Sequence, residues 1–162
     1  VPEHGGDTLF CNMIAAYEAL PKTTKDRLEG LQAIHSYLYR TNEQVASHGI
    51  RPPLTEAQRR QTPDLPQPVI RTHPETGEKA LYINPGFTTR FLGLAEDESE
   101  TLKQELFAHC LQQRFQFRYR WQAGDVVVWD NAAIMHRGTS TELDPKHHRT
   151  LFRTIISGSE PY

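Results

Sequence analysis

Cysteine is scarce, with two residues in 162, and so is methionine, also two. Cys11 and Cys110 lie far apart among apolar neighbours. This excludes a dense disulfide framework and leads us to expect two buried free thiols in a reducing cytoplasm. Long apolar runs are missing as well. Nothing approaches the roughly 20 apolar residues that span a bilayer, so no membrane is expected as a partner. Neither sign of charge dominates: 18 Lys and Arg face 20 Asp and Glu, for a net charge of −2. Such a balance gives no reason to expect nucleic acid. The opening Val1-Pro2-Glu3-His4-Gly5-Gly6 has no basic stretch leading into an apolar one, and is not read as a signal peptide. It also lacks an initiating Met, which fits a processed chain or a fragment. There is no internal repeat and no low-complexity tract.

What is present is a series of short elements. Thr8 to Asn12 reads as a strand after the Gly5-Gly6-Asp7 turn, and Met13 to Leu20 as a helix with Asn12 as its N-cap. A second helix is expected from Pro21 towards Glu29 with Gly30 as its stop, and then a strand over Leu31–Ser36. The segment 37–68 is polar and broken by five prolines, and reads as a long loop, a candidate lid. Pro68 to Thr72 and Ala80 to Asn84 flank His73-Pro74-Glu75-Thr76-Gly77-Glu78-Lys79, a hairpin with a long turn. Glu96 to Gln112 is the clearest helix, opening on acidic residues as the helix dipole favours. Arg114 to Trp121 alternates strictly between aromatic and polar residues, as a one-sided strand does. Val126 to Trp129 is expected as a buried strand and Arg149 to Ser157 as the last one. The fold class implied is mainly β with helical additions, a sandwich or jelly roll.

Among eight histidines, His136 is singled out by two arginines on its C-terminal side, Arg149 and Arg153. In a strand these two would point the same way, and two arginines on one face call for anions, which the planar guanidinium grips bidentately. The alternative is an exposed edge strand with solvated arginines. His147-His148 would point opposite ways in a strand and are placed in the preceding loop. His35 is expected at a strand end and His109 on a helix face.

These residues belong to a longer pattern. Gly5-Gly6-Asp7-Thr8-Leu9-Phe10, Ala15-Ala16-Tyr17-Glu18-Ala19-Leu20, Asn84-Pro85-Gly86-Phe87-Thr88-Thr89-Arg90, Trp129-Asp130-Asn131 with His136, and Arg149 with Arg153 occur in this order. Together they resemble the C-terminal part of the taurine dioxygenase family, which includes the 2,4-dichlorophenoxyacetate-type enzymes, and residues 1–162 would be that portion of a single domain. The resemblance implies a double-stranded β-helix, a jelly roll, and an Fe(II)- and 2-oxoglutarate-dependent dioxygenase. Such an enzyme hydroxylates a small anionic substrate (a sulfonate, sulfate ester or carboxylate) and releases succinate and CO2.

Residue by residue, it implies His136 as a metal ligand and catalytic residue. Arg149 and Thr8 would hold the far carboxylate of 2-oxoglutarate, Arg153 the substrate's anionic group, and Phe87 would contact the substrate. A homo-oligomer is compatible with this reading. The family's other two metal ligands come from a His-x-Asp or His-x-Glu pair ahead of the Gly-Gly-Asp-Thr segment, and this sequence starts after that point. The one internal match, His73-Pro74-Glu75, is read as a surface hairpin. The alternative function is a catalytically inactive small-molecule binding module on the same jelly roll.

Overall fold

A computed structural model describes residues 5–48, 53–139 and 150–162, with side chains left out over 43–48. Arg149 and the His147-His148 pair lie outside the described residues. In chain order the elements are β1 (Thr8–Asn12), α1 (Met13–Glu18), α2 (Lys22–Leu28), β2 (Gln32–His35), α3 (Tyr37–His48), α4 (Glu56–Gln61), β3 (Leu65–Pro68), β4 (Ile70–Thr72), β5 (Lys79–Leu81), β6 (Thr88–Phe91), α5 (Glu96–Cys110), β7 (Gln116–Tyr119) and β8 (Ile134–Gly138). They form one sheet ordered β7-β1-β8, a second ordered β3-β2-β6, and the β4–β5 hairpin; every pairing is antiparallel.

Local chemistry explains most element ends. The Asn12 side chain accepts a hydrogen bond from the Ala15 amide and starts α1 where β1 stops. Gly30, at φ +71°, supplies the left-handed turn after α2. Glu96, Asp97 and Glu98 fill the first turn of α5. Helix α5 buries Leu102, Leu106 and Cys110 along one face, as a 3.6-residue period requires. That face joins Cys11, Ala16, Leu28, Val69, Leu81 and Phe91 in one core. Cys11 and Cys110 are free and buried, and the Cys11 thiol donates to the Cys110 carbonyl oxygen at 3.0 Å.

Four expectations are corrected. The segment 37–68 is not a structureless loop, since it holds α3, α4 and β3, and β3 pairs with β2. Pro66 and Pro68 lie inside β3, which among the described residues is an edge strand, where a missing N–H is tolerated. Ser36 Oγ accepts from the Tyr39 amide at the start of α3, and Thr55 with Gln58 forms a capping box at α4. Val126 to Trp129 is neither a strand nor buried, with Val126 88% and Val128 89% exposed. Thr150 to Ser157 is likewise in no strand, and Phe152 is 99% exposed. A strand exists only through a hydrogen-bonded neighbour, and among the described residues neither segment pairs with one. The aromatic run after α5 is also shorter than expected. Gln113–Phe115 is a 3-10 turn, and only Gln116–Tyr119 pairs in the sheet.

Candidate active site

Strand β1 sits between β7 and β8, and its register sets the site. Phe10 faces His136 across the β1–β8 pair, and Thr8 faces Gly138. Directly opposed residues of an antiparallel pair share a face, as do residues two apart on one strand. Thr8, Phe10 and His136 therefore lie on one face of the sheet. The alternate residue Cys11 turns to the opposite face and into the core. Phe10, Trp129 and His136 form a ring cluster, with centroids 5.0 Å apart for Trp129–His136 and 5.5 Å for Phe10–Trp129.

His136 lines a cavity of about 310 Å³ together with Arg153 and Phe87, so three of the five expected site residues meet there. Thr8 is buried on the same face, and its hydroxyl oxygen accepts from the Trp121 indole N–H at 2.9 Å. Two further residues reach the cavity that the sequence pattern left aside. Arg40 of α3 lies over the Phe87 ring at 4.6 Å, and His35 at the end of β2 pairs with the Thr88 hydroxyl at 3.0 Å. Burial holds the His136 imidazole below its ordinary 6.5, and the charges of Arg153 and Arg40 push it further down. Its neutral form, the form that ligates metals, is therefore favoured.

Phe87 is held in place by a built loop. The Asn84 side chain accepts from the Gly86 amide at 2.8 Å, and the Asn84 carbonyl accepts from Phe87 and Thr88. The Thr88 hydroxyl in turn accepts from the Asn84 amide.

His73 departs from its reading as part of a surface turn. The β4–β5 hairpin forms as expected, but the His73 ring is buried, 6% exposed. Its Nδ1 accepts from the amides of Glu75 and Thr76, at 3.2 Å each, so Nε2 carries the proton and donates to Asp130 Oδ2 at 2.9 Å. With both nitrogens committed, His73 is a structural latch rather than a metal ligand. Asp130 also accepts from the Ala132 amide at 2.6 Å. That bond first, and the His73 bond after it, hold the Asp130 carboxyl below its ordinary 3.8. The Trp129-Asp130-Asn131 motif thus reads structurally as the turn that launches β8, pinned to the hairpin. The 57-residue separation between His73 and Asp130 concealed this partnership. Among the described residues, no group of three His, Cys, Asp or Glu side chains is placed to hold a metal ion.

The fold and the cavity define a jelly-roll protein whose sheet presents a neutral imidazole beside two arginines and aromatic rings. The chain belongs to the taurine catabolism dioxygenase TauD, TfdA family, whose model matches residues 1–155. It is 39% identical over 146 residues to an alpha-ketoglutarate-dependent 2,4-dichlorophenoxyacetate dioxygenase of Cupriavidus pinatubonensis, covering 90% of this chain and 49% of that protein. It is 33% identical over 162 residues to an alkylsulfatase of Acinetobacter baylyi, covering 98% and 50%. A crystal structure of AAD-2 in complex with Mn(II) and N-oxalylglycine matches at a TM-score of 0.85 and 30% identity, covering 99% of this chain and 61% of that one. The chain spans about a third to a half of the length of the curated relatives it matches. No helix among the described residues is long and apolar enough to cross a membrane.

Proposed function

We propose that residues 1–162 are the C-terminal portion of a single Fe(II)- and 2-oxoglutarate-dependent dioxygenase domain that hydroxylates a small organic anion, releasing succinate and CO2. The observation that carries this reading is the half-buried His136, held neutral on the wall of a cavity that also takes in Arg153 and Phe87. His136 would supply one imidazole to the iron, and the two remaining protein ligands would come from outside the described residues. The bound iron supplies oxygen activation coupled to breakdown of 2-oxoglutarate.

The chain's own residues bind and orient. Arg149 would pair with the far carboxylate of 2-oxoglutarate. The Thr8 hydroxyl, already an acceptor for the Trp121 indole, has its own proton to offer that carboxylate. N-oxalylglycine, present in the AAD-2 structure, has two carboxylates separated by a carbonyl-bearing chain, as 2-oxoglutarate does. Arg153 would hold the substrate's sulfonate, sulfate or carboxylate, and Phe87 would flank its carbon body. The ring cluster of Phe10, Trp129 and His136 keeps the imidazole's orientation fixed and shields it from water. The 37–68 segment, whose Arg40 reaches the cavity from α3, is the proposed lid.

The test is succinate release by the intact protein, supplied with Fe(II), 2-oxoglutarate and a panel of sulfonates, sulfate esters and aryloxy acids. Turnover with one of them, abolished in His136→Ala, is the expected result. An active His136→Ala enzyme would remove the metal assignment. A second reading is a binding module without turnover. 2-Oxoglutarate binding with no succinate formed would select it.

A further inference from the structure

The β2–β6 pairing contains an irregularity that places one side chain. Ala33 faces Phe91 and Ile34 faces Arg90, but His35 faces Thr88, so the register skips Thr89. The skipped residue bonds locally: its hydroxyl donates to the Ile34 carbonyl at 3.2 Å. A bulge of this kind re-aims a side chain, and such bulges are over-represented beside active sites. Here it sets the His35 imidazole against the Thr88 hydroxyl, with Nε2 and Oγ1 3.0 Å apart, at the border of the cavity.

The partners decide where the protons sit. The Thr88 hydroxyl oxygen accepts from the Asn84 amide at 2.9 Å, and Thr88 is 1% exposed, so its own proton has no water to meet. The imidazole donates to the Tyr82 backbone carbonyl, and burial, the larger influence, keeps the ring neutral against the pull of that bond. A neutral ring has one N–H to give. With that N–H turned to Tyr82, Nε2 is the acceptor for the Thr88 proton. The relay runs one way, from the Asn84 amide through the Thr88 hydroxyl and the His35 ring to the Tyr82 carbonyl. It links the loop that carries Asn84 and Phe87, both on the cavity wall, to the strand end opposite. Beyond the β2–β6 ladder, two adjacent ties hold that loop: the Ser36 amide donates to the Phe87 carbonyl at 2.8 Å, and His35 holds Thr88. One tie would be a pivot, whereas two fix an orientation.

We propose that His35 is a positioning residue for the organic substrate: accepting the Thr88 proton at Nε2, it holds the Asn84–Phe87 loop at the place on the cavity wall that the substrate meets. This inference rests on the dioxygenase reading of the cavity, and deepens it by naming the group that orients the substrate wall. Thr8, assigned to 2-oxoglutarate, stands on β1, in a different sheet from the β2–β6 pair. Loosening the loop therefore weakens the hold on the substrate and leaves the cosubstrate anchored.

The experiment has two arms, both on the intact protein. In the first, the NMR shifts of the ring nitrogens of labelled histidine report the His35 tautomer. A proton on Nδ1 with Nε2 bare is expected, and a proton on Nε2 would overturn the proposal. In the second, succinate release is followed with Fe(II), 2-oxoglutarate and whichever of phenoxyacetate, hexyl sulfate and hexanesulfonate the wild type turns over fastest. His35→Leu should raise the KM for that anion about fivefold and keep the KM for 2-oxoglutarate within about twofold of wild type. His35→Gln, whose side-chain oxygen can stand in for Nε2, should recover most of the loss. Thr88→Val should behave as His35→Leu does, and the double variant should be no worse than either single one, because all three remove the same bond. An unchanged KM for the anion, an equal rise in both KM values or additive effects in the double variant would overturn the inference and leave the dioxygenase reading standing. If the wild type forms no succinate with any of the three anions, the dioxygenase reading fails and the substrate role of His35 falls with it, whatever the tautomer.

Discussion

Replacing Asp130 by Ala tests whether the latch between the hairpin and the β8 turn carries stability. The His73 side chain is almost fully enclosed, at 7% exposed, and Nε2–H would lose its acceptor. Leaving a buried donor unsatisfied costs about 1–3 kcal/mol. The Ala132 amide also loses its bond, at an exposed position where water substitutes and little is lost. Arg71, buried against the Tyr82 ring with its Nε lacking a hydrogen-bond partner, loses the attraction of the Asp130 carboxylate. That attraction is discounted because the Asp130 side chain is 57% exposed. A total of about 2 kcal/mol corresponds to a Tm drop of about 4–8 °C for a protein of this size. The assay is thermal unfolding followed by circular dichroism, with the exposed Asp64→Ala as control. Asp130→Asn, which keeps one acceptor oxygen, should fall between. The folded state depresses the Asp130 pKa, so its contribution is complete above the ordinary 3.8 and fades as pH falls through the lower folded value. The gap between wild type and Asp130→Ala should narrow with it. A Tm for Asp130→Ala less than about 2 °C below the Asp64→Ala control would refute the latch, because the lower end of the unsatisfied-donor cost already moves it by about 2–4 °C.

The same geometry governs other outcomes. His136 should titrate below 6.5 by NMR, and Arg153→Gln should raise its midpoint only part of the way, because burial is the larger cause. Since the folded chain resists a proton that the unfolded chain accepts, this residue subtracts stability as pH drops below 6.5. Both thiols should be inert to a chromogenic thiol reagent at mildly alkaline pH until the protein is denatured, because burial pushes Cys11 to about 11 and Cys110 to about 12; rapid native labelling would contradict the packing. On the proposed function, Arg149→Ala should raise KM mainly for 2-oxoglutarate and Arg153→Ala mainly for the organic substrate. A shift of both constants in both variants would show that the two roles are not separable.

Features governed by neighbours in sequence were legible before the structure. The Asn12 cap, the Gly30 stop, the acidic start of α5 and the β4–β5 hairpin each rest on a few adjacent residues. Features set by distant partners were not. Val126-Val127-Val128 has the composition of a strand, but composition supplies no ladder, and among the described residues the segment joins no sheet. His73 sits in a polar stretch, and only the fold reveals that Asp130 draws its ring inward. Arg40 was hidden by the prolines beyond it, although Ser36, three residues before Tyr39, is a cap signal that would have opened a helix there. For the site itself, spacing offered a histidine and two arginines, and the family resemblance separated their roles. The structure then gathers His136, Arg153 and Phe87 at one cavity and puts Thr8 on the same sheet face.

The central position of β1 has a consequence for how this chain can change length. Thr8 and Phe10 serve the face of His136 while Cys11 serves the helical core, and Asn12 must end the strand to start α1. Inserting one residue between Thr8 and Asn12 would exchange the two allegiances, turning a thiol towards His136 and an aromatic ring into the helices. The turn at Gly77 is held in another way, by a φ of +74° that favours glycine and by the Gly77 amide donating to the His73 carbonyl at 2.9 Å. A single added codon in β1 would erase the site while leaving every one of its residues in the sequence.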